Sequence, residues 1–360
     1  MKLTSALFCS CLSLGLWAGT PAAVRAADGA GTGAIKDYLV TQVTKMNAAA
    51  HDYVANAAAY DQIIKASGGD YNKAAIDRGP ELLSLVVRMQ ADYKNLHMNG
   101  YETVEGIAAG VKELVKYDIY FDSGVPADEA TTDNPSAPID LRTASGEIID
   151  QNDGNIFHYV IEQCLWGANA KLIRKLSPEA AAKLHGIVVL PRADVLVASS
   201  IATAAHADQF LADSKSWQPT LDECVGALVW MTPTFNTYYD DLKDSLYDPT
   251  GKYISESRVL DMRGIMGSLQ LVYNAIRPQL EQKDPALAAQ LKSEYDGIMH
   301  HVDETDRRDK AARAASSKLS KVEIDELAEQ AKHMSDQLAP QLQQAAAILG
   351  LKLPPKPFLA

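Results

Sequence analysis

The sequence predicts an all-α protein built as two antiparallel helical bundles. Apolar residues recur at the 3.6-residue helical period over long stretches, and Gly, Pro and helix-capping residues separate those stretches. No run of alternating β-branched residues is convincing. The chain has 360 residues, of which 47% are hydrophobic and 22% charged, so it can bury a core and is long enough for two domains. Long helices with short connections favour antiparallel bundles.

The first 26 residues have the pattern of a secretory signal peptide. Lys2 precedes an apolar stretch over residues 3–17, and the sequence VRA at 24–26 supplies a small-residue cleavage site. The apolar stretch is too short for a permanent membrane helix. We therefore expect a periplasmic protein with no stable membrane insertion.

The remaining chain is expected to divide into an N-terminal bundle at 27–188, a C-terminal bundle at 189–350 and a tail at 351–360. Residues 123–154 are rich in Asp, Pro, Ser and Gly and predict a long loop. The hydrophobic stretch at 187–190 is expected to be a buried connector rather than a strand. Helices are predicted over 34–66, 70–79, 81–98, 101–122, 155–176, 191–214, 219–247 with a kink at Pro233, 255–283, 286–308 and 321–349.

The charge and cysteine content exclude some classes of protein. A net charge of −12 disfavours nucleic acid as a partner, because nucleic-acid binding needs a basic face. Outside the signal peptide only Cys164 and Cys224 remain, without a CxxC motif. They either pair in an oxidising compartment or stay as buried free thiols, and the second alternative is favoured.

Four acidic residues form the first candidate metal site. Glu102 and Glu105 are three residues apart, and Asp118 and Asp122 are four apart, so each pair shares one face of a helix. Carboxylates in this pattern suit a hard cation. The alternative is a solvated acidic face, which the spacing alone favours.

A second candidate lies in the apolar segment at 157–167. His158 and Glu162 are four residues apart, so both side chains could reach one metal ion. A Glu inside such an apolar segment would be costly to leave unpaired. A core Glu that hydrogen-bonds to a neighbouring helix explains the pattern equally well.

The strings YETVEGIA at 101–108, IEQCLW at 161–166, IRPQL at 276–280 and KDPAL at 283–287 resemble three elements of the imelysin-like family. The EfeO/EfeM branch of this family comprises periplasmic components of iron uptake. The string IEQCLW at 161–166 resembles its IExxLW element, and YETVEGIA at 101–108 resembles its YExIEPVA segment. IRPQL at 276–280 and KDPAL at 283–287 resemble its LRPxLxxKDPxL stretch. The resemblance spans about 35–305. It implies two related helical bundles with a metal site between helices.

The sequence departs from the family pattern at two places. The family has an HxxE metal motif, but aligning on Glu162 puts Tyr159 at the position of its His and leaves His158 one residue early. Tyr159 or His158 is then the expected ligand. In the later YSHTDL segment, Glu256 replaces the family's His and Arg258 replaces its Asp. Glu256 is therefore a secondary candidate ligand.

The resemblance implies a non-catalytic protein that binds iron, as Fe3+ or Fe2+, and passes it to a membrane permease. Its metal ligands are expected among Glu102, Glu105, Asp118, Asp122, His158, Tyr159, Glu162 and Glu256. One alternative is a cell-envelope scaffold that binds a ligand or partner without metal through the 123–154 loop. A metallopeptidase is another alternative. It is the weaker one, because the sequence has no HExxH motif to hold a catalytic zinc.

Overall fold

The computed structural model describes residues 31–357, apart from 129, 133–134, 137–138, 152–153 and 248–257. The signal peptide and Glu256 lie outside this part of the chain. The α-helices are α1 (Gly31–Ala66), α2 (Tyr71–Leu96), α3 (Glu102–Ala108), α4 (Val115–Asp118), α5 (Gln163–Leu165), α6 (Pro178–Lys183), α7 (Ala193–Ser216), α8 (Leu221–Met231), α9 (Tyr238–Tyr247), α10 (Val259–Glu281), α11 (Pro285–Ala314) and α12 (Lys321–Leu349). The predicted all-α class is confirmed.

Helix α1 is the central element of the N-terminal half, where it packs against both α2 and α7. Its apolar positions, among them Leu39, Val43 and Met46, form a continuous buried face at helical spacing. Asp70 caps α2 by accepting hydrogen bonds from two backbone N–H groups of its first turn. The predicted interruption at Gly79-Pro80 is a kink within one continuous helix, with non-helical backbone angles at Arg78.

In the C-terminal half, α10 packs between α11 and α3. Helices α8 and α12 begin with capping boxes, Thr220 with Glu223 and Ser320 with Glu323, which fix where each helix starts. The expected break at Pro233 is a 3-10 turn over Thr232–Asn236 that separates α8 from α9. These elements join those of the N-terminal half in one contiguous hydrophobic core.

Two segments differ from the sequence predictions because they form short strands. The expected 123–154 loop contains an antiparallel hairpin of β1 (Asp140–Arg142) and β2 (Ile148–Gln151). The expected connector at 187–190 leads into β4 (Val189–Pro191), which pairs with β3 (Ile173–Lys175), so the helix predicted to run to residue 176 ends earlier. Strands of three or four residues are too short to show a diagnostic alternation.

Helix α7 lies just after the predicted domain boundary at 188/189 yet packs along α1 in the N-terminal half. The division into two bundles therefore stays a prediction. Among the described residues, α7 is the one helix long and apolar enough to cross a membrane, and core helices of soluble proteins share these features. Its buried face includes Val195, Leu196 and Phe210. Cys164 and Cys224 are buried free thiols, as the favoured alternative predicted.

Candidate metal centre

Three π-helical segments bring polar side chains to one buried place in the fold. They cover His97–Tyr101, Ile119–Ser123 and Phe157–Glu162. A π turn closes on the fifth residue instead of the fourth, so it holds one extra residue and turns the following side chains to a different face. Such turns are rare and concentrate at functional sites. Helices α3 and α10 complete the walls of this polar cluster.

Two imidazoles converge on one carboxylate at its centre. His158 Nε2 lies 2.6 Å from Asp122 Oδ1, and His97 Nε2 lies 3.0 Å from the same oxygen. The two rings meet edge to face, with centroids 4.9 Å apart. All three side chains are at least nine-tenths buried, and one donor atom from each lies within 4.8 Å of the others. A single ion can therefore reach the three residues together.

Glu162 holds His158 in place from the other side of its ring. Glu162 Oε2 lies 2.7 Å from His158 Nδ1 and also accepts a hydrogen bond of 3.1 Å from the Tyr93 hydroxyl. A Nδ1–H that donates to a carboxylate leaves Nε2 as the metal-binding nitrogen. Glu162 thus orients the imidazole.

Glu102 and Glu105 add a second pair of carboxylates from α3. Glu102 Oε1 lies 2.6 Å from His97 Nε2, and Glu105 Oε1 accepts a hydrogen bond of 3.2 Å from the Tyr238 hydroxyl. Gly264 allows α10 to approach α3, because a Cβ at this position would lie 2.8 Å from the Glu102 carbonyl. This close packing fixes the backbone from which both carboxylates project.

A buried ion pair from the start of α10 closes the cluster. Arg258 Nη1 lies 2.5 Å from Asp261 Oδ2 and 3.5 Å from His158 Nε2. Arg258 and Asp261 are both almost fully buried. The guanidinium therefore supplies one fixed positive charge among several carboxylates.

The pKa values of these groups are displaced in opposite directions. Burial and then the Asp261 charge raise the pKa of Glu102, and burial and then Glu102 raise the pKa of Glu105. Burial alone would raise the pKa of Asp122, but His158 and His97 outweigh it and hold that pKa well below its usual range. Asp122 is therefore a carboxylate at neutral pH, whereas Glu102 and Glu105 compete for protons.

Asp118 and His97 complete this electrostatic pattern. Burial raises the pKa of Asp118 to about 7, although the hydrogen bond from Tyr101 opposes this rise. Burial would lower the pKa of His97, but the hydrogen bond to Asp122 and the Asp261 charge raise it overall. Metal binding in such a site displaces protons.

The structure brings together five of the eight sequence-predicted ligands: Glu102, Glu105, Asp122, His158 and Glu162. Asp118 lies beside them with its carboxylate bonded to the Tyr101 hydroxyl at 2.6 Å. The Tyr159 ring lies against Gly154 and lines a separate surface cavity of about 270 Å³. Glu256 lies outside the described residues.

Sequence reasoning missed His97 and Asp261 as members of the cluster, and it noted Arg258 only as a departure from a family pattern. His97 stands five residues before Glu102, a spacing that does not suggest a shared face in an α-helix. Asp261 follows Arg258 by three residues, which is a common helical ion-pair spacing. A search for polar residues within apolar helix faces would have found both.

Comparisons with known proteins add no family assignment. No protein-family model matches the sequence, and no curated protein matches it significantly.

Proposed function

We propose that this protein is a non-catalytic periplasmic iron-binding protein that captures the ion and passes it to a membrane permease. The observation that carries the proposal is the convergence of His97, His158 and Asp122 in a buried cluster. Two imidazoles with one carboxylate form a donor set that non-haem Fe(II) commonly uses.

A purely structural role explains this cluster less well. Isolated buried carboxylates are costly, and a polar core network is stable when each member has a hydrogen-bond partner. Among the described residues, one oxygen each of Glu102, Glu105 and Asp261 has no hydrogen-bond partner outside the carboxyl groups of the cluster. A bound cation would satisfy the carboxylates and offset their mutual repulsion.

The donor types favour iron over two common competitors. Structural zinc sites usually contain Cys ligands, and the described cluster has no Cys donor. Two His and one carboxylate also occur in catalytic zinc sites, so the metal-content measurement below includes zinc. Calcium prefers oxygen ligands alone, whereas two imidazoles face Asp122 here. The mixed nitrogen and oxygen donors therefore suit iron, which the sequence resemblance also implies.

The depth of the site favours binding over turnover. The side chains of the two imidazoles, Asp122 and Glu162 are at most 8% exposed, so a peptide substrate would not reach an ion held there. Binding and release of an ion need only a small opening of the cluster. Export and delivery to a permease rest on the signal-peptide pattern and on the family resemblance.

Metal content tests the proposal directly. Protein refolded without metal is dialysed against a mixture of iron, zinc, copper and manganese, and its bound metals are measured by mass spectrometry. We expect at least one iron per chain, lost in His158→Ala and retained in His333→Ala, which removes an exposed imidazole. Preferential zinc would refute the iron assignment. Absence of bound metal would refute metal binding and favour the envelope-scaffold alternative.

A further inference from the structure

The buried cluster contains more carboxylates than one divalent ion needs. Besides the two imidazoles it holds Glu102, Glu105, Asp122, Glu162 and Asp261. The only fixed cation described among them is Arg258. Once metal binding has displaced the protons of Glu102 and Glu105, five carboxylates and one guanidinium leave four negative charges beside neutral imidazoles. One divalent ion would leave half of that charge buried without compensation, which is costly.

The donor atoms form more than one group of close ligands, and a single ion would not contact all of these groups equally. His97, Asp122 and His158 form one group, and Glu102, Glu105 and Asp122 form another. A third group, His97, Glu102 and Asp261, overlaps both of them. Within each group the donor atoms lie within 4.8 Å of one another, and the first two groups share only Asp122. A carboxylate has two oxygens, so Asp122 can bridge two neighbouring ions.

The carboxylates from α3 have free coordinating capacity. Glu102 Oε1 faces His97 Nε2 at 2.6 Å and Glu105 Oε1 accepts a hydrogen bond from Tyr238. Among the described residues, Glu102 Oε2 and Glu105 Oε2 have no partner outside these two carboxyl groups. Glu102 is fully buried and Glu105 is 4% exposed. Buried carboxylate oxygens of this kind are suitable ligands for a cation.

The remaining carboxylates have other partners. Asp261 pairs with Arg258 at 2.5 Å, and Glu162 Oε2 is engaged by His158 and Tyr93. The second group is thus an all-oxygen donor set, unlike the first, which has two nitrogens. Two-metal centres commonly hold ions about 3.5–4 Å apart with carboxylates between them.

We propose that the site binds two divalent cations: one at His97, His158 and Asp122, and a second at Glu102, Glu105 and Asp122. This inference rests on the proposed metal-binding function and extends its stoichiometry. Two divalent ions neutralise the four negative charges of the cluster. Asp122 is the bridging ligand, and Tyr238 orients Glu105 through its hydrogen bond.

Equilibrium dialysis against Fe2+ under anaerobic conditions, followed by mass-spectrometric counting of iron per chain, tests the second position. The informative variant is Glu105→Gln, which keeps an oxygen for the Tyr238 hydroxyl but removes the charge. Glu113→Gln makes the same change at an exposed position and is the matched control. Glu105→Gln removes a buried negative charge that faces no cation and keeps the Tyr238 contact, so it should not unfold the metal-free chain. The melting temperature, Tm, of the variant checks this point.

We expect two irons per chain in the wild type and in Glu113→Gln, and one in Glu105→Gln. One iron in the wild type would overturn the second position and leave the proposed function intact. No iron would overturn both. Two irons retained in Glu105→Gln would place the second ion elsewhere and refute the assignment. The wild-type count does not depend on any variant, so misfolding of Glu105→Gln would not hide the result.

Discussion

Replacing Glu162 with Gln tests whether this residue acts by orienting a metal-binding imidazole. The substitution preserves shape and keeps one oxygen that can accept a hydrogen bond from the Tyr93 hydroxyl, now 3.1 Å away. It removes the charge that faces His158 Nδ1 at 2.7 Å in a nearly water-free site. Loss of such a supporting carboxylate typically weakens metal affinity by about 10–100-fold, or about 1.4–2.8 kcal/mol.

The assay is competition for Fe2+ with a chelator of known affinity, performed anaerobically on the full chain. We expect Glu162→Gln to weaken binding by that factor, and Glu113→Gln to leave the affinity unchanged. The metal-free Tm should fall little, because the variant removes one of several buried like charges. Wild-type affinity in Glu162→Gln would refute the argument that the His158–Glu162 contact supports metal binding.

Three further predictions concern pH, helix packing and the thiols. Burial raises the pKa values of Glu102 and Glu105, so their protonation stabilises the metal-free fold as pH falls, and this contribution is lost as pH rises through the raised pKa values. The rise in Tm caused by metal should therefore shrink as pH falls through the raised pKa values of Glu102 and Glu105, as scanning fluorimetry with and without Fe2+ would show. A constant rise would contradict proton competition. Gly264→Ala should lower the free energy of unfolding by about 1–3 kcal/mol in denaturant titrations and also weaken Fe2+ binding, because its Cβ would meet the Glu102 backbone. A Cβ at Gly297 would meet no atom within 4 Å, so Gly297→Ala should change neither the free energy of unfolding nor Fe2+ binding. Reductant should leave the Tm unchanged, and thiol reagents should label Cys164 and Cys224 only on unfolding. Both are free thiols, and burial raises the pKa of each to about 12. Rapid labelling of either residue in the folded chain would contradict this.

The long helices could be predicted because their signals are local and repeated. The apolar spacing of α1 persists over nine turns, and a Ser-x-x-Glu box marks the start of α12. The region between 97 and 123 could not be predicted in the same way. There the helix changes from π to α and back within a few residues, and no local propensity distinguishes these forms.

The acidic residues of the site could be predicted from the sequence, but the contacts that they make with one another and with His97 could not. Glu102 and Glu105 lie on one face of a short helix, as their spacing indicated. Their contact with His97 depends on the turn that joins α2 to α3, and Asp261 reaches the cluster from a helix 160 residues away in the sequence. Tertiary packing, which a periodicity argument does not contain, decides both contacts.

The π segments also explain why one motif appeared displaced. In a regular α-helix, His158 would be turned by about 100° from the position of a His three residues before Glu162. The segment Phe157–Glu162 is a π-helix, whose turn holds an additional residue, and His158 consequently faces Glu162 and Asp122 while Tyr159 lies against Gly154. The spacing of four residues already placed His158 and Glu162 within reach of one ion, and left Tyr159 as the alternative ligand. The backbone conformation decides between them, because it turns His158 into the cluster and Tyr159 away from it.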